Sequence, residues 1–265
     1  MTSASILLLI FGSLLIAILA VLWLRTRAES GLLRERLQNA TRELERLQLS
    51  FTRFAPHEVI ERIISDGIST AGEKKEVTVL FADLVGFTAL SEAVDPSTLV
   101  RILNGYFARM SDAIIDNRGH ISTFIGDGIL AFYGTLEPNP WQSNDALYTA
   151  LAMREQIHSY NEELAAEGLP ALGIGVGIHR GIGVAGLVGS PQRMEFAFVG
   201  RTVNLASRVQ DLTRDFAVDI LVTDEVREAL DPRFRLTPLP PRKVKGIADP
   251  VAIYSVEAPA NGAQG

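Results

Sequence analysis

The spacing of hydrophobic residues changes character along this chain. From Ile6 to Leu24 they form an almost continuous run, interrupted only by Gly12 and Ser13. A run of this length is what a helix needs to cross a bilayer. Arg25 and Arg27 follow at once, and no Lys or Arg precedes the run. The positive-inside rule therefore predicts a single pass through the cytoplasmic (inner) membrane, with the rest of the chain in the cytoplasm and lipid as a partner of the helix. A cleaved signal peptide is the competing reading, but it lacks a basic n-region and a small-residue cleavage site. From Leu33 the apolar positions are Leu33, Leu37, Ala40, Leu44, Leu47, Phe51 and Phe54. Alternating steps of four and three are the seam of a coiled coil, which predicts a parallel homodimeric stalk. A lone amphipathic helix is the alternative. Pro56 interrupts the pattern, and Pro56 to Ile64 reads as a short second helix.

Beyond a polar, glycine-containing linker (Gly67 to Lys75), the rhythm alternates between strand and helix. Val77 to Ala82 reads as a strand ending at Asp83, and Pro96 to Asp116 as a helix with Leu99, Ile102, Leu103, Phe107, Met110 and Ile114 on one side. Ile121 to Ile125 and Ile129 to Tyr133 read as a hairpin with Gly126-Asp127-Gly128 at its tip. Trp141 to Glu167 is a second long helix, Leu172 to Val188 a glycine-rich strand region with a bend, Glu195 to Val199 a strand, and Thr202 to Leu212 a helix. Ile220 to Thr223, Phe234 to Leu239 and Val251 to Val256 are later strands. This order predicts an α+β, ferredoxin-like βαββαβ sandwich. The expected division is a membrane helix with short flanks (1–28), a coiled-coil stalk (29–54), a short helix and linker (55–75), a folded α+β domain (76–257) and a tail (258–265).

Composition narrows the chemistry. The 265 residues, 47% of them hydrophobic, suffice for one membrane segment and one sizeable soluble domain. A net charge of -6 argues against nucleic-acid binding, which needs a basic footprint. The absence of cysteine removes disulfides, thiolate nucleophiles and cysteine-ligated zinc. The 4 histidines are not at metal-motif spacing, so a metal here would be a hard, oxygen-ligated cation.

Asp83 closes a buried strand and Asp127 tips a hairpin. In a βαββαβ sheet these elements are neighbours, so the two carboxylates can converge at one edge. Paired carboxylates without nearby His or Cys suit two Mg²⁺ or Mn²⁺ ions. A glycosidase-type pair would want aromatic sugar platforms, and aromatics are only 7%. Taken alone, Asp127 reads simply as a turn residue between glycines. Two further motifs lead away from the site. Gly181-Ile182-Gly183-Val184-Ala185-Gly186 matches a dinucleotide fingerprint, but no helical pattern follows it, so it reads as a kinked strand. His179 reads as a structural polar residue.

The motifs together carry a resemblance. Phe81-Ala82-Asp83-Leu84-Val85-Gly86-Phe87-Thr88 resembles the signature after the first strand of class III adenylate and guanylate cyclases. Phe124-Ile125-Gly126-Asp127-Gly128 resembles their hairpin motif. The segment from Val199 through Asn204 to Arg208 resembles their Asn-x-x-x-Arg helix, and Lys243-Val244-Lys245-Gly246 their late lysine-glycine element. Phe54 to Val59 looks like the short helix before many bacterial cyclase domains. The order is also the family's.

The resemblance implies a membrane-anchored adenylate cyclase that converts ATP to 3′,5′-cyclic AMP and pyrophosphate. Asp83, Asp127 and the Leu84 carbonyl would ligate the metals. Gly86, Phe87 and Thr88 would offer N–H groups to phosphate at a helix start, although a tight turn with a capping Thr explains them as well. Asn204 would orient the ribose, Arg208 would neutralise charge at phosphorus, and Lys245 would reach the phosphates. In this family one subunit supplies the metal carboxylates and the other the Asn and Arg, so a homodimer would hold two sites. The purine-selecting positions correspond to Thr123 and Ala197, neither of them charged, and Arg201 replaces an Asp often found before the helix. A guanylate or dual-specificity cyclase, or a catalytically weak dimeric sensor, are the alternatives. The Gly-Gly-Asp/Glu-Glu-Phe run of diguanylate cyclases is absent.

Overall fold

A computed structural model of the chain describes residues 72–135, 138–190, 193–247 and 249–257, together with the helical residues Trp23, Arg27, Gln38, Asn39, Thr41 and Arg42. The membrane-helix, stalk and short-helix expectations, like the tail at 258–265, otherwise lie outside the described residues. Among the described residues no helix is long and apolar enough to cross a membrane. The chain divides into two compact units, Met1–Ile60 and Glu61–Gly265.

The order of the second unit is β1 (Glu73–Val85), α1 (Phe87–Ala93), α2 (Pro96–Asp116), β2 (His120–Ile125), β3 (Gly128–Tyr133), α3 (Gln142–Ala166), β4 (Gly173–Ser190), β5 (Arg193–Val199), α4 (Arg201–Phe216), β6 (Ile220–Thr223), α5 (Asp224–Arg227), β7 (Leu236–Arg242) and β8 (Val251–Val256). The strands run β2-β3-β1-β4-β6-β8-β7, with β5 paired to β4 off this path. The antiparallel stretch β2-β3-β1-β4 is the expected ferredoxin-like sheet. β6 joins β4 in parallel, and β8 and β7 extend the sheet.

Period-two alternation along β1 sorts its side chains onto two faces. Leu80, Ala82 and Leu84 pack with Ile129, Ala131, Ile174, Val176 and Ile178 against α2 and α3. Val77 and Val79 face the other way, toward Phe132, Phe198 and Ala206. Asp83 shares the parity of Val77 and Val79, so it lies on the face that α4 covers. The start of α2 is fixed by Asp95, whose carboxylate accepts the Ser97 and Thr98 amides at 3.0 and 3.1 Å, with Pro96 in the first turn.

Two expectations shift. β1 starts at Glu73, so the last three residues of the expected linker are strand; they pair with Ala185, Val184 and Gly183 in the far half of β4. The strand expected from Phe234 runs instead from Leu236 to Arg242 and contains Pro238, Pro240 and Pro241. β7 is the last strand of the sheet, where a missing N–H breaks no ladder on the open side.

Candidate active site

Asp83 stands two residues before the end of β1, opposite Gly175 of β4, while its neighbour Ala82 pairs with Ile129 of β3. Asp127 lies in the two-residue turn between Ile125 and Gly128. Gly126, at the first turn position, has a φ of 64°, which a glycine adopts without strain. A Cβ on Gly128 would stand 3.3 Å from both Asp83 Oδ1 and the Phe81 ring, so glycine there keeps the space beside the carboxylate open.

The two carboxylates are close enough to share a hydrogen bond. Burial, reinforced by the charge of Asp127 and that hydrogen bond, pushes Asp83 up to about 6; Arg214 opposes the shift. Arg214, near the end of α4, donates from one nitrogen to Asp83 Oδ2 at 2.9 Å and to the Leu84 carbonyl at 3.4 Å. Asp83 Oδ2 and the Leu84 oxygen therefore face one point, already held by a cation. Tyr106 on α2 is fully buried, and its hydroxyl has no partner among the described residues. Its acidity is suppressed by burial and by the charges of Asp83 and Asp127.

This donor set fits a hard divalent cation: two carboxylates and a backbone carbonyl, all oxygen, with like charges held together. Among the described residues no group of three or more His, Asp or Glu could hold a metal.

After β1, Gly86 adopts a left-handed conformation (φ 78°) and caps α1. Thr88 lies inside that helix and its carbonyl accepts the Ser91 hydroxyl at 2.7 Å, so the cap is the glycine and not the threonine. Gly86 and Thr88 are exposed; Phe87 packs against the core.

The other predicted residues gather elsewhere. On α4, Leu205, Ala206, Val209, Gln210 and Thr213 are buried, which leaves Asn204 and Arg208 on the exposed face. Val244 is buried against Leu205 and Val209, and this anchors the β7–β8 connection over the helix. Asn204, Arg208, Arg201, Lys245 and Gly246 thus line one small pocket of about 80 Å³. Arg208 pairs with Asp211 at 3.2 Å. Neither Asp83 nor Asp127 lines this pocket. Within the chain, the acidic pair and the basic pocket are therefore separate. An open groove of about 980 Å³ adjoins the basic pocket and shares Arg201, Leu205 and Ile247 with it. His179 lines that groove, with its Nδ1 2.8 Å from the Thr223 hydroxyl and 3.5 Å from Glu225, as a structural polar residue should be.

Thr123 and Ala197 line neither the pocket nor the groove of this subunit. Thr123 lies on β2 opposite Leu130, its hydroxyl 3.4 Å from the Phe124 carbonyl. Ala197 lies on β5 opposite Gly186. The Gly181–Gly186 motif is part of β4, as expected of a strand.

Sequence reasoning missed Arg214 and Tyr106. Arg214 continues the charged stripe Arg201, Arg208 and Asp211 along α4, which by itself reads as a solvated helix face. Tyr106 carries only the apolar periodicity of α2.

Residues 70–258 match the family model described as "Adenylate and Guanylate cyclase catalytic domain". The adenylate cyclase of Anabaena cylindrica is 35% identical over 233 residues, which are 84% of this chain and 45% of that protein. The crystal structure of a guanylyl cyclase superposes with a TM-score of 0.67 at 31% identity, covering 73% of this chain and 97% of that one. That of the adenylyl cyclase CyaB from P. aeruginosa gives 0.67 at 30% identity, covering 71% and 96%. The chain spans less than half the length of the curated adenylate cyclases of Anabaena cylindrica and Rhizobium meliloti that it matches.

Proposed function

Because the chain belongs to the adenylate and guanylate cyclase catalytic-domain family, we propose that it acts as a membrane-anchored, homodimeric adenylate cyclase. The reaction is the conversion of ATP to 3′,5′-cyclic AMP and pyrophosphate. The observation that carries this reading is the separation of the Asp83–Asp127 pair from the Asn204–Arg208–Lys245 pocket within one subunit. A chain that holds both halves apart completes a site when a second copy supplies the missing half.

Asp83, Asp127 and the Leu84 carbonyl would hold two Mg²⁺ or Mn²⁺ ions. Bound there, such ions would acidify the ribose 3′-hydroxyl and neutralise triphosphate charge. Asn204 orients the ribose, and Arg208, one turn further along the same helix face, neutralises charge building on the α-phosphorus. The 3′-hydroxyl gives up its proton to solvent, its oxygen forms a bond to that phosphorus, the bond to the α,β-bridging oxygen breaks, and pyrophosphate leaves carrying that oxygen. Lys245 and the N–H groups of Gly86, Phe87 and Thr88 meet phosphate oxygens.

Pairing is further supported by an exposed apolar stripe. Ile182, Val184 and Val188 project from one side of β4, and Val199 of β5 lies opposite Val184. Such a contiguous patch favours burial against another surface. The Ile6–Leu24 run and the Leu33–Phe54 heptads add a membrane anchor and a dimeric stalk, with the catalytic domain in the cytoplasm.

The second reading is a guanylate or dual-specificity cyclase. It is favoured by Ala197, which offers no side-chain hydrogen bond, and Thr123, which offers no charge. Turnover of ATP and GTP by the full chain, measured side by side with Mn²⁺, separates the two. We expect cyclic AMP formation with a clear ATP preference, lost by at least ~10²-fold in Asp83→Ala. A GTP preference would reverse the substrate assignment, and an Asp83→Ala rate equal to wild type would overturn the metal assignment.

A further inference from the structure

We propose that Arg214 is a tethered counter-ion of the carboxylate pair, occupying the point between Asp83 Oδ2 and the Leu84 oxygen until a divalent cation displaces it. The inference rests on the metal-binding reading of Asp83, Asp127 and Leu84 given above.

The contact geometry supports displacement. A single guanidinium nitrogen makes both contacts, at 2.9 and 3.4 Å. A structural arginine would be expected to engage the carboxylate through two nitrogens and to be buried with it. Here the Arg214 side chain is 53% exposed while that of Asp83 is 21% exposed. The carboxylate is fixed by its strand, and the arginine reaches it from the surface with a flexible stem. Half-exposed pairs of this kind are weak, because solvent competes for both partners.

Its position is nevertheless built in. α4 lies close over β4 because Gly175 and Gly177 have no side chains. A Cβ on Gly175 would collide with Thr213, and one on Gly177 would land on the Gln210 amide nitrogen and 2.6 Å from the Ala206 carbonyl. Gly175 is also the register partner of Asp83. The close approach therefore sets the last turn of α4 beside the carboxylate. Two further carboxylates, Asp127 and Asp211, act on Asp83 there. Arg208 is engaged with Asp211 on its own helix. Arg214 is thus the guanidinium that reaches Asp83, and it screens the pair when no metal is bound. A dication arriving at the same two oxygens must break this contact and overcome the repulsion of a fixed positive charge.

The test is Mn²⁺ binding to the full chain without nucleotide, followed by the electron paramagnetic resonance signal of free Mn²⁺, with Asp83→Asn defining the site-specific part. Arg214→Gln should tighten Asp83-dependent Mn²⁺ binding by about two- to fivefold, and Arg214→Lys, which keeps the charge, should tighten it less. A second readout separates a counter-ion from a structural tie. Arg214→Gln should lower the melting temperature in chelator, and saturating Mn²⁺ should erase the difference. Unchanged or weaker Mn²⁺ binding in Arg214→Gln, or a melting difference that persists in saturating Mn²⁺, overturns the inference while Asp83-dependent binding in wild type leaves the metal site standing. No Asp83-dependent Mn²⁺ binding in either protein overturns both.

Discussion

An aspartate at the rim of a sheet ordinarily stays ionised well below neutrality, yet Asp83 is raised from 3.8 to about 6 by burial and by Asp127 beside it. The folded protein therefore keeps this proton to a higher pH than the unfolded chain does. Between about pH 4 and pH 6 the native state binds more protons, so this residue's contribution to stability is full below the unfolded value and is lost as pH rises through 6. Glu225, lowered to about 2 by its hydrogen bond to His179, acts in the opposite sense and below this window. In chelator, the melting temperature of wild type should fall relative to Asp83→Asn between pH 4.5 and 6.5, as scanning fluorimetry of the two proteins would show; parallel curves would contradict the assigned shift. Residues of this kind differ in how far sequence exposes them. Asp83, Asp127, Asn204 and Arg208 stand in motifs whose order fixes them. Arg214 meets a partner 131 positions away, and a single arginine on a polar helix face reads as solvated. Tyr106 reads as core and is core; only the fold brings its hydroxyl under the influence of the carboxylates.

At the level of elements, the site depends on how closely α4 can lie on β4. Gly175, Gly177 and Gly181 occupy alternate positions on one side of that strand, and each would drive a Cβ into the helix or its neighbours. The Thr202 hydroxyl donates to the Ile182 carbonyl at 2.8 Å and ties the start of the helix to the same strand. Gly177→Ala is the sharpest probe, because the obstruction is backbone and cannot rotate away. It should cost about 1–3 kcal/mol, the range for overpacking a tight interface, read from urea denaturation of the full chain. A cost near zero would mean the helix can move off the strand, and with it Asn204 and Arg208. Patterning made most elements legible: α2, β6 and β8 run as their periodicity predicts. It failed where tertiary pairing overrides local character. Glu73 to Lys75 are polar, but the long β4 offers them a partner. The prolines of β7 look like breakers and are tolerated at a sheet edge. The glycines of 181–186 imitate a nucleotide loop because close strand–helix packing and close backbone–phosphate approach both demand the same residue.

For the molecule as a whole, the decisive property is that the carboxylate pair and the basic pocket lie in different parts of one chain. Charge alone would favour an association in which each pair of carboxylates meets the partner's arginine and lysine, and the apolar stripe at Ile182, Val184, Val188 and Val199 supplies area for it. Such a dimer has two equivalent sites, each drawing one half from each chain. This makes the two kinds of loss separable. Asp83→Ala removes the acidic half from a subunit and leaves its basic half, and Asn204→Ala does the reverse. Each homodimer should be inactive. When the two variants are mixed and allowed to exchange, about half of the dimers contain one chain of each kind, and each of those has one intact site of two. Activity should therefore return to about a quarter of the wild-type value at equal total protein, measured as cyclic AMP formed from ATP. No recovery after demonstrated exchange would mean that each site is completed within one subunit, and the separation of Asp83 from Arg208 would then have to close by movement of α4 within a single chain.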